Sequence, residues 1–410
     1  MNYYQLLWKN LLANPLKTVF NVMLVSIAVS LVLIILLINK QFGNHLGKSS
    51  ENIDFVLAAK GSPLQSVLCN VLQVDAPTGN IKVGEIQAFL NPAHPLIKNC
   101  APLALGDSYK SYRLVGTSLE YFEWQNLKLS EGRFFDKENE LVIGNEIAIR
   151  EKIKLGDTLH SNHGLVNLDM EHEHALIVTG ILTKTNSISN KLIFTSISTY
   201  WDEHNHSTDS DSNSMHESPI LRNQDLIQKD KEISSVLIQF RGKNIQTLNF
   251  GRSINENTNI MGVYPAIEIS RLYELTNSAS DLLYWIAVIL GILSSIALFI
   301  NLVQALEDRK LELAIMRIGG ARPGLIFKLL IAEGLSISLI GCLFGLVLAH
   351  GFLYIASQYF QLGSKYGISG TYFMPEEIFI VILTLICGMF ASIIPAYRAY
   401  KQDIASTISN

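Results

Sequence analysis

The sequence predicts an α-helical membrane protein with four transmembrane helices and a large α/β domain inserted between the first and the second. Three observations carry this. Four apolar windows, at 18–39, 282–304, 329–356 and 377–396, each come near or exceed the ~20 residues a helix needs to cross hydrocarbon. Between the first two lies a polar stretch of ordinary globular composition, at about 240 residues enough for one sizeable domain or two small ones. Lys and Arg gather beside alternate connections, as the positive-inside rule requires. The 36 acidic and 32 basic residues leave a net charge of −4, which argues against a nucleic-acid partner.

Residues 1–16 read as an interfacial helix, with Tyr3, Tyr4, Leu6, Leu7, Trp8, Leu11 and Leu12 interrupted by Lys9 and Asn10, and Pro15 marking the turn into the first span, 17–40. That span is read as an uncleaved anchor. Its apolar run exceeds the ~7–15 residues of a signal peptide, and no small-x-small cleavage site follows Asn39-Lys40-Gln41-Phe42. Gly43 to Ser49 approximates a nucleotide-binding loop, but three residues rather than four separate its glycines, and it follows a span rather than a strand. It is read as chance.

The inserted domain, 41–265, reads as mixed α/β. Glu140 to Ala148 looks like strand, glycine turn and helix; Lys154 to Leu159, Ala175 to Leu182 and Ser234 to Phe240 look like strands. Gly61-Ser62-Pro63 and Pro77-Thr78-Gly79 are turns bracketing a helix expected over Leu64 to Val74. Segment 202–218 is low-complexity, has no apolar residue but Met215 and is expected to be a loop. Cys69 and Cys100 fall in this domain, where they could pair in an oxidising compartment or stay as two buried thiols. Cys342 and Cys387 fall in spans and read as packing residues.

The second span is expected to begin well before the membrane. Between Pro265 and Gly291 there is neither proline nor glycine, and Ile267, Leu272, Leu275 and Leu282 recur at helical spacing. A helix over 266–306 would be about 60 Å long, twice the hydrocarbon thickness, so half would stand outside as a stalk. Thr276-Asn277-Ser278 is its weakest point. Segment 307–328 follows, then a third span at 329–356, a loop at 357–376, a fourth span at 377–396 and a tail at 397–410. Arg309, Lys310, Arg317, Arg322 and Lys328 crowd the connection after the second span, whereas the loop after the third has only Lys365. The termini and segment 307–328 are therefore expected on the inner side of the membrane, and the domain and the loop after the third span on the outer side.

Segment 307–328 is the most informative. Its charged start leads to Ala314-Ile315-Met316-Arg317-Ile318-Gly319-Gly320-Ala321-Arg322, a break before the next helix. This resembles the cytoplasmic loop of the FtsX/MacB/LolC-LolE class of ABC transporter permeases, where an ERxxEIAxxRxxGA pattern leads from the second membrane helix into a coupling helix. The resemblance continues through Leu325 to Gly334 and a third span with Gly341 and Gly345. It ends in Ile394 to Asp403, similar to the family's PAxxAxxxDP ending with Ile404 where proline is usual. Gly132-Arg133-Phe134-Phe135, then Glu140 to Gly144, then Leu155-Gly156-Asp157 resemble the periplasmic core domain of MacB-type members.

The resemblance implies a mechanotransmission permease without a nucleotide-binding motif of its own, not an enzyme. Residues 314–322 would couple it to a separate ABC ATPase that binds the ATP and Mg²⁺, and Ile326 with Phe327 would add apolar contacts for that partner. It would act as a dimer with a second copy or paralogue, together with a periplasmic adaptor or substrate protein. Two alternatives differ in class: a regulator of periplasmic cell-wall hydrolases, as in the FtsX branch, and a zinc-handling system. The second rests on histidines. Seven of the ten lie between His160 and His216, and His172/His174 and His204/His206 form two H-x-H pairs able to bind zinc if brought together, or else simply solvated. Glu333 and His350 are ionisable groups near the ends of the third span, functional or merely interfacial.

Overall fold

The computed structural model describes residues 3–163, 175–185, 187–204, 219–308, 315, 318, 322–359 and 367–401. The chain divides into a helical unit, residues 1–43 and 275–410, and an inserted domain, residues 44–274.

Five long or terminal helices make up the first unit: α1 (Tyr3–Ala13), α2 (Pro15–Ser49), α3 (Pro265–Asp308), α4 (Pro323–Tyr359) and α5 (Glu377–Lys401). Among the described residues, α2 to α5 are each long and apolar enough to cross a membrane. Pro15, Pro265 and Pro323 each open a helix, where the missing N–H costs no intrahelical bond. The glycines of the nucleotide-loop lookalike lie inside α2, so no such loop exists. Helix α3 is unbroken through Thr276-Asn277-Ser278. Its 44 residues make it about 66 Å long. Its first ten residues group with the inserted domain.

Inside a bilayer, helices gain little from hydrophobicity alone, and small residues and polar pairs decide which faces meet. Val25 and Val29 of α2 pack on Gly341 and Gly345 of α4. A Cβ on either glycine would lie 2.7 or 2.8 Å from the corresponding valine Cβ. Gly334 and Ser338 of α4 face Ser392 and Gly388 of α5 in the same way. Helices α2 and α3 run antiparallel and are joined at three levels. Asn301 donates to Asn21 (2.7 Å), Ser280 to Asn39 (2.9 Å), and Lys17 pairs with Asp308 (3.4 Å). Helix α1 is more than an interfacial anchor. Trp8 and Leu12 are exposed, but Leu11 is buried against Leu298, Leu302 and Ile337.

The domain is built on a mixed sheet, with eleven strands among the described residues. Its main path runs Ile260–Val263, Phe55–Ala59, Ser235–Phe240, Ile97–Tyr109, Tyr112–Thr117, Leu192–Thr195, Glu140–Ile143, Leu176–Leu182, Leu129–Gly132. Two pairings are parallel, Leu192–Thr195 with Tyr112–Thr117 and Glu140–Ile143 with Leu176–Leu182; the rest are antiparallel. Two cores form. One gathers Phe55, Phe240, Phe250 and Tyr264, with ring centroids 4.8 to 5.6 Å from that of Phe55. The other gathers Leu114, Leu141, Ile143, Ile147, Val178 and Ile193.

The strand and helix expected over Glu140 to Ala148 are present as Glu140–Ile143 and Asn145–Glu151. The helix expected over Leu64 to Val74 is shorter, Pro63–Asn70. Asn70 turns its side chain back onto the Ser66 carbonyl, and Gln73 takes a left-handed conformation that ends helical geometry. Helix Ile197–His204 claims the first residues of the segment expected to be a loop from 202 onward.

Candidate coupling site

The end of α3, the start of α4 and the end of α5 converge on one packed cluster: Leu306, Ile326, Leu330, Ala396 and Ala399, with Phe327 and Ile331 against it. Ala396 and Ala399 are small enough to let α5 approach, and Pro395 just before them lies inside α5. The Lys17–Asp308 pair adds little here, because both side chains are about half exposed; such pairs contribute at most about 1 kcal/mol. Packing holds this end together.

Of the residues expected to couple to an ATPase, 315, 318 and 322 are described. Ile315 and Ile318 are helical, three apart, and 61% and 65% exposed. Both lie outside the four apolar windows, so hydrocarbon does not account for their exposure. Arg322 is exposed and its carbonyl accepts from the Leu325 N–H at 2.9 Å, which starts α4. Ala314, Met316, Arg317, Gly319, Gly320 and Ala321 lie outside the described residues. One expectation is overturned: Ile326 is not available to a partner, being 2% exposed beneath Leu306 and Ala396. Sequence reasoning missed that Leu306, Ala396 and Ala399 form the base. The i, i+3 spacing of the two alanines beside Pro395 was the signal available.

Comparison with known proteins supplies the decision. Residues 284–404 match the FtsX-like permease C-terminal model, and residues 18–216 match the MacB-like periplasmic core domain model. The chain belongs to the FtsX/MacB-like ABC transporter permeases. This permease is 23% identical over 345 residues to the ABC transporter permease YtrF of Bacillus subtilis, covering 73% of this chain and 75% of that protein. It is 28% identical over 127 residues to the lipoprotein-releasing system transmembrane protein LolE of Haemophilus influenzae, covering 27% of this chain and 30% of that one. The extracellular domain of the noncanonic ABC-type transporter YknZ from Gram-positive bacteria aligns with a TM-score of 0.29 at 15% identity, over 52% of this chain and 98% of that one.

The core-domain signature of this permease has a structural role. Arg133 pairs with Glu140 through two guanidinium nitrogens, at 2.7 and 2.5 Å, while the N–H groups of Asp136 and Lys137 donate to the same carboxylate. Burial alone would raise that carboxyl, but Arg133 and the two backbone donors outweigh it and hold it at about 2. Phe134 and Phe135 pack on Phe122 at 4.8 and 5.7 Å between ring centroids. Gly132 adopts a left-handed φ of +78°, and a Cβ there would run into the Thr179 carbonyl. Gly156 sits at φ +88° where Asp157 accepts from the Lys154 N–H.

Of the two alternatives open for Cys69 and Cys100, a disulfide or two buried thiols, the disulfide is not formed. Both thiols are free and buried and face different partners: Arg113 donates to the Cys69 sulfur at 3.4 Å, and Asn223 to the Cys100 sulfur at 3.5 Å. Burial pushes the Cys69 thiol up despite Arg113, and pushes the Cys100 thiol up to about 12. Of the zinc candidates, His172, His174 and His206 lie outside the described residues, and His204 is the last residue of helix Ile197–His204. Among the described residues no group of three or more His, Cys, Asp or Glu could hold a metal ion.

Proposed function

We propose that this permease is the membrane subunit of a complex in which a separate ABC ATPase, carrying the ATP and Mg²⁺, docks on segment 307–328. The observation that carries the reading is the exposed pair Ile315 and Ile318, three residues apart, followed in sequence by exposed Arg322 and outside every apolar window. An apolar stripe flanked by cations is what a helix seated in a partner's groove presents. The packed base of Leu306, Ile326 and Ala396 carries a push on that segment into the ends of α3, α4 and α5. Helix α3, about 66 Å without a break, is long enough to carry the displacement beyond the membrane to the inserted domain.

In this reading the termini and segment 307–328 are cytoplasmic, the domain is periplasmic, and a second permease copy or paralogue completes a dimer. Work is done on a substrate already outside or in the outer leaflet, consistent with the lipoprotein-releasing name of the LolE relative. Ile315→Glu and Ile318→Glu test it. Burying an isoleucine is worth about 1.5–3 kcal/mol, so each variant should weaken ATPase association at least about tenfold while leaving membrane insertion intact. Undiminished co-purification of an ABC ATPase with the double variant would reject the docking site.

A further inference from the structure

At the head of α3, whose first ten residues group with the inserted domain, Tyr264 serves two helices at once. It stands directly before Pro265, the first residue of α3. Its carbonyl accepts from the Ile267 N–H at 3.1 Å and the Glu268 N–H at 3.5 Å, so its backbone caps α3. Its side chain reaches helix Ile245–Asn257. There the hydroxyl donates to the Thr247 carbonyl at 2.6 Å, lies 2.9 Å from the Leu248 carbonyl, and accepts from the Gly251 N–H at 3.0 Å. The ring packs on Phe55, with centroids 4.8 Å apart. Gly251 makes room for it: a Cβ there would lie 2.7 Å from the Tyr264 ring and 3.0 Å from Phe55.

Thr247 and Gly251 are four residues apart, so their carbonyl and N–H are the two ends of one rung of the helical ladder. A side chain bonded to both ends of a rung takes the position from which side chains insert into helices. Removing the hydroxyl leaves that carbonyl and N–H able to bond each other. The helix then loses its tie without leaving a backbone group unsatisfied. A second tie is separate from the first. Asn255 donates to the Gly262 carbonyl at 3.1 Å and accepts from the Gly262 N–H at 2.7 Å, which holds the later part of the helix to strand Ile260–Val263 at the end of the sheet. Tyr264 holds the earlier part to the head of α3.

We propose that Tyr264 is the joint through which α3 moves the inserted domain, making the first turn of α3 and the first half of helix Ile245–Asn257 one rigid body. Helix α3 meets the domain with Tyr264 as its cap, so a tilt or rotation of its head displaces the hydroxyl and, with it, the Thr247–Gly251 turn. A residue that only capped α3 would pass the displacement to strand Ile260–Val263 alone. The hydroxyl passes it to a second helix as well. Tyr264 is thus a positioning residue for transmission. That the displacement originates in an ATPase rests on the docking proposed for segment 307–328, whereas the joint itself stands on the contacts of Tyr264.

Native-state hydrogen exchange of the full-length protein in lipid nanodiscs, at low urea and without nucleotide or partner, tests the joint separately from the docking of an ATPase. In the wild type, the Gly251 amide and the Ile267 and Glu268 amides should open with one free energy and one urea dependence, as a single cooperative unit does. In Tyr264→Phe the ring stays on Phe55 and the Thr247–Gly251 pair bonds directly, so the domain folds. The two sets should then separate by at least about tenfold in exchange rate, while the Gly262 amide, held by Asn255, keeps its protection. Independent opening in the wild type, or unchanged coupling in Y264F, overturns the joint. So does an equal loss at Gly251, Ile267 and Gly262, which a purely stabilising tyrosine would give. With an ABC ATPase bound, exchange at Gly251 should respond to ATP in the wild type and not in Y264F; a response that Y264F keeps also overturns the joint.

Discussion

Replacing Glu140 by glutamine tests the most concentrated electrostatic feature of the inserted domain. The wild-type carboxyl is held at about 2 against an ordinary value of about 4.5. At about 1.36 kcal/mol per unit, that difference sets a ceiling of about 3 kcal/mol. Arg133 is 48% exposed, so solvent screens its share and about 1–2 kcal/mol is the expected contribution. A depressed carboxylate stabilises above its unfolded value and loses that contribution as pH falls towards its folded value. Stability should therefore decline between about pH 5 and about pH 2, with roughly 1 kcal/mol gone by about pH 3. The glutamine oxygen can still accept from Asp136, Lys137 and one Arg133 nitrogen, but its NH2 then faces the other Arg133 nitrogen, which also donates, and the charge is lost, so E140Q should be weakened by about 1–2 kcal/mol at neutral pH and lack this part of the acid slope. Urea unfolding of the full-length protein in detergent, followed by tryptophan fluorescence at several pH values, reads both effects. Equal acid slopes in wild type and E140Q would refute the reasoning.

Two further outcomes follow from packing and from the thiols. Gly345→Ala places a methyl group 2.8 Å from Val29 Cβ and should lower thermal stability in detergent by about 1–3 kcal/mol, partly restored by adding Val29→Ala; no loss would mean α2 and α4 do not meet there. Cys69 and Cys100 should resist alkylation at about pH 8 until the protein is denatured, because reaction needs the thiolate and both thiols are shifted away from it; mass spectrometry finding rapid labelling or a disulfide would contradict this.

The four spans and the long α3 were legible because hydropathy and the absence of glycine and proline act within one helix. The strand, turn and helix at Glu140–Ile143 and Asn145–Glu151 were legible because the turn glycine separates two local patterns. Contacts between elements were not. Nothing local distinguishes Ile326, which packs under Leu306, from Ile315 and Ile318, which are exposed; the difference lies in Ala396 and Ala399, some seventy residues downstream. Helix Pro63–Asn70 stopped early because a left-handed Gln73 has no signature comparable to glycine. The Cys69 and Cys100 environments depend on Arg113 and Asn223 arriving from other strands and turns. His350 was visible as an ionisable group near a span end, but its contacts with the Gly370 carbonyl and Glu377 are set by the fold.

The central claim is that a separate ATPase grips the segment between α3 and α4. A photo-crosslinking residue at position 318 tests it most directly, in cells expressing the full-length permease with the ABC ATPases of its own genome. Irradiation should yield an adduct containing an ABC ATPase, with a yield that changes when ATP hydrolysis is blocked. Adducts only with lipid or periplasmic proteins would place Ile318 away from any cytoplasmic engine and contradict the account.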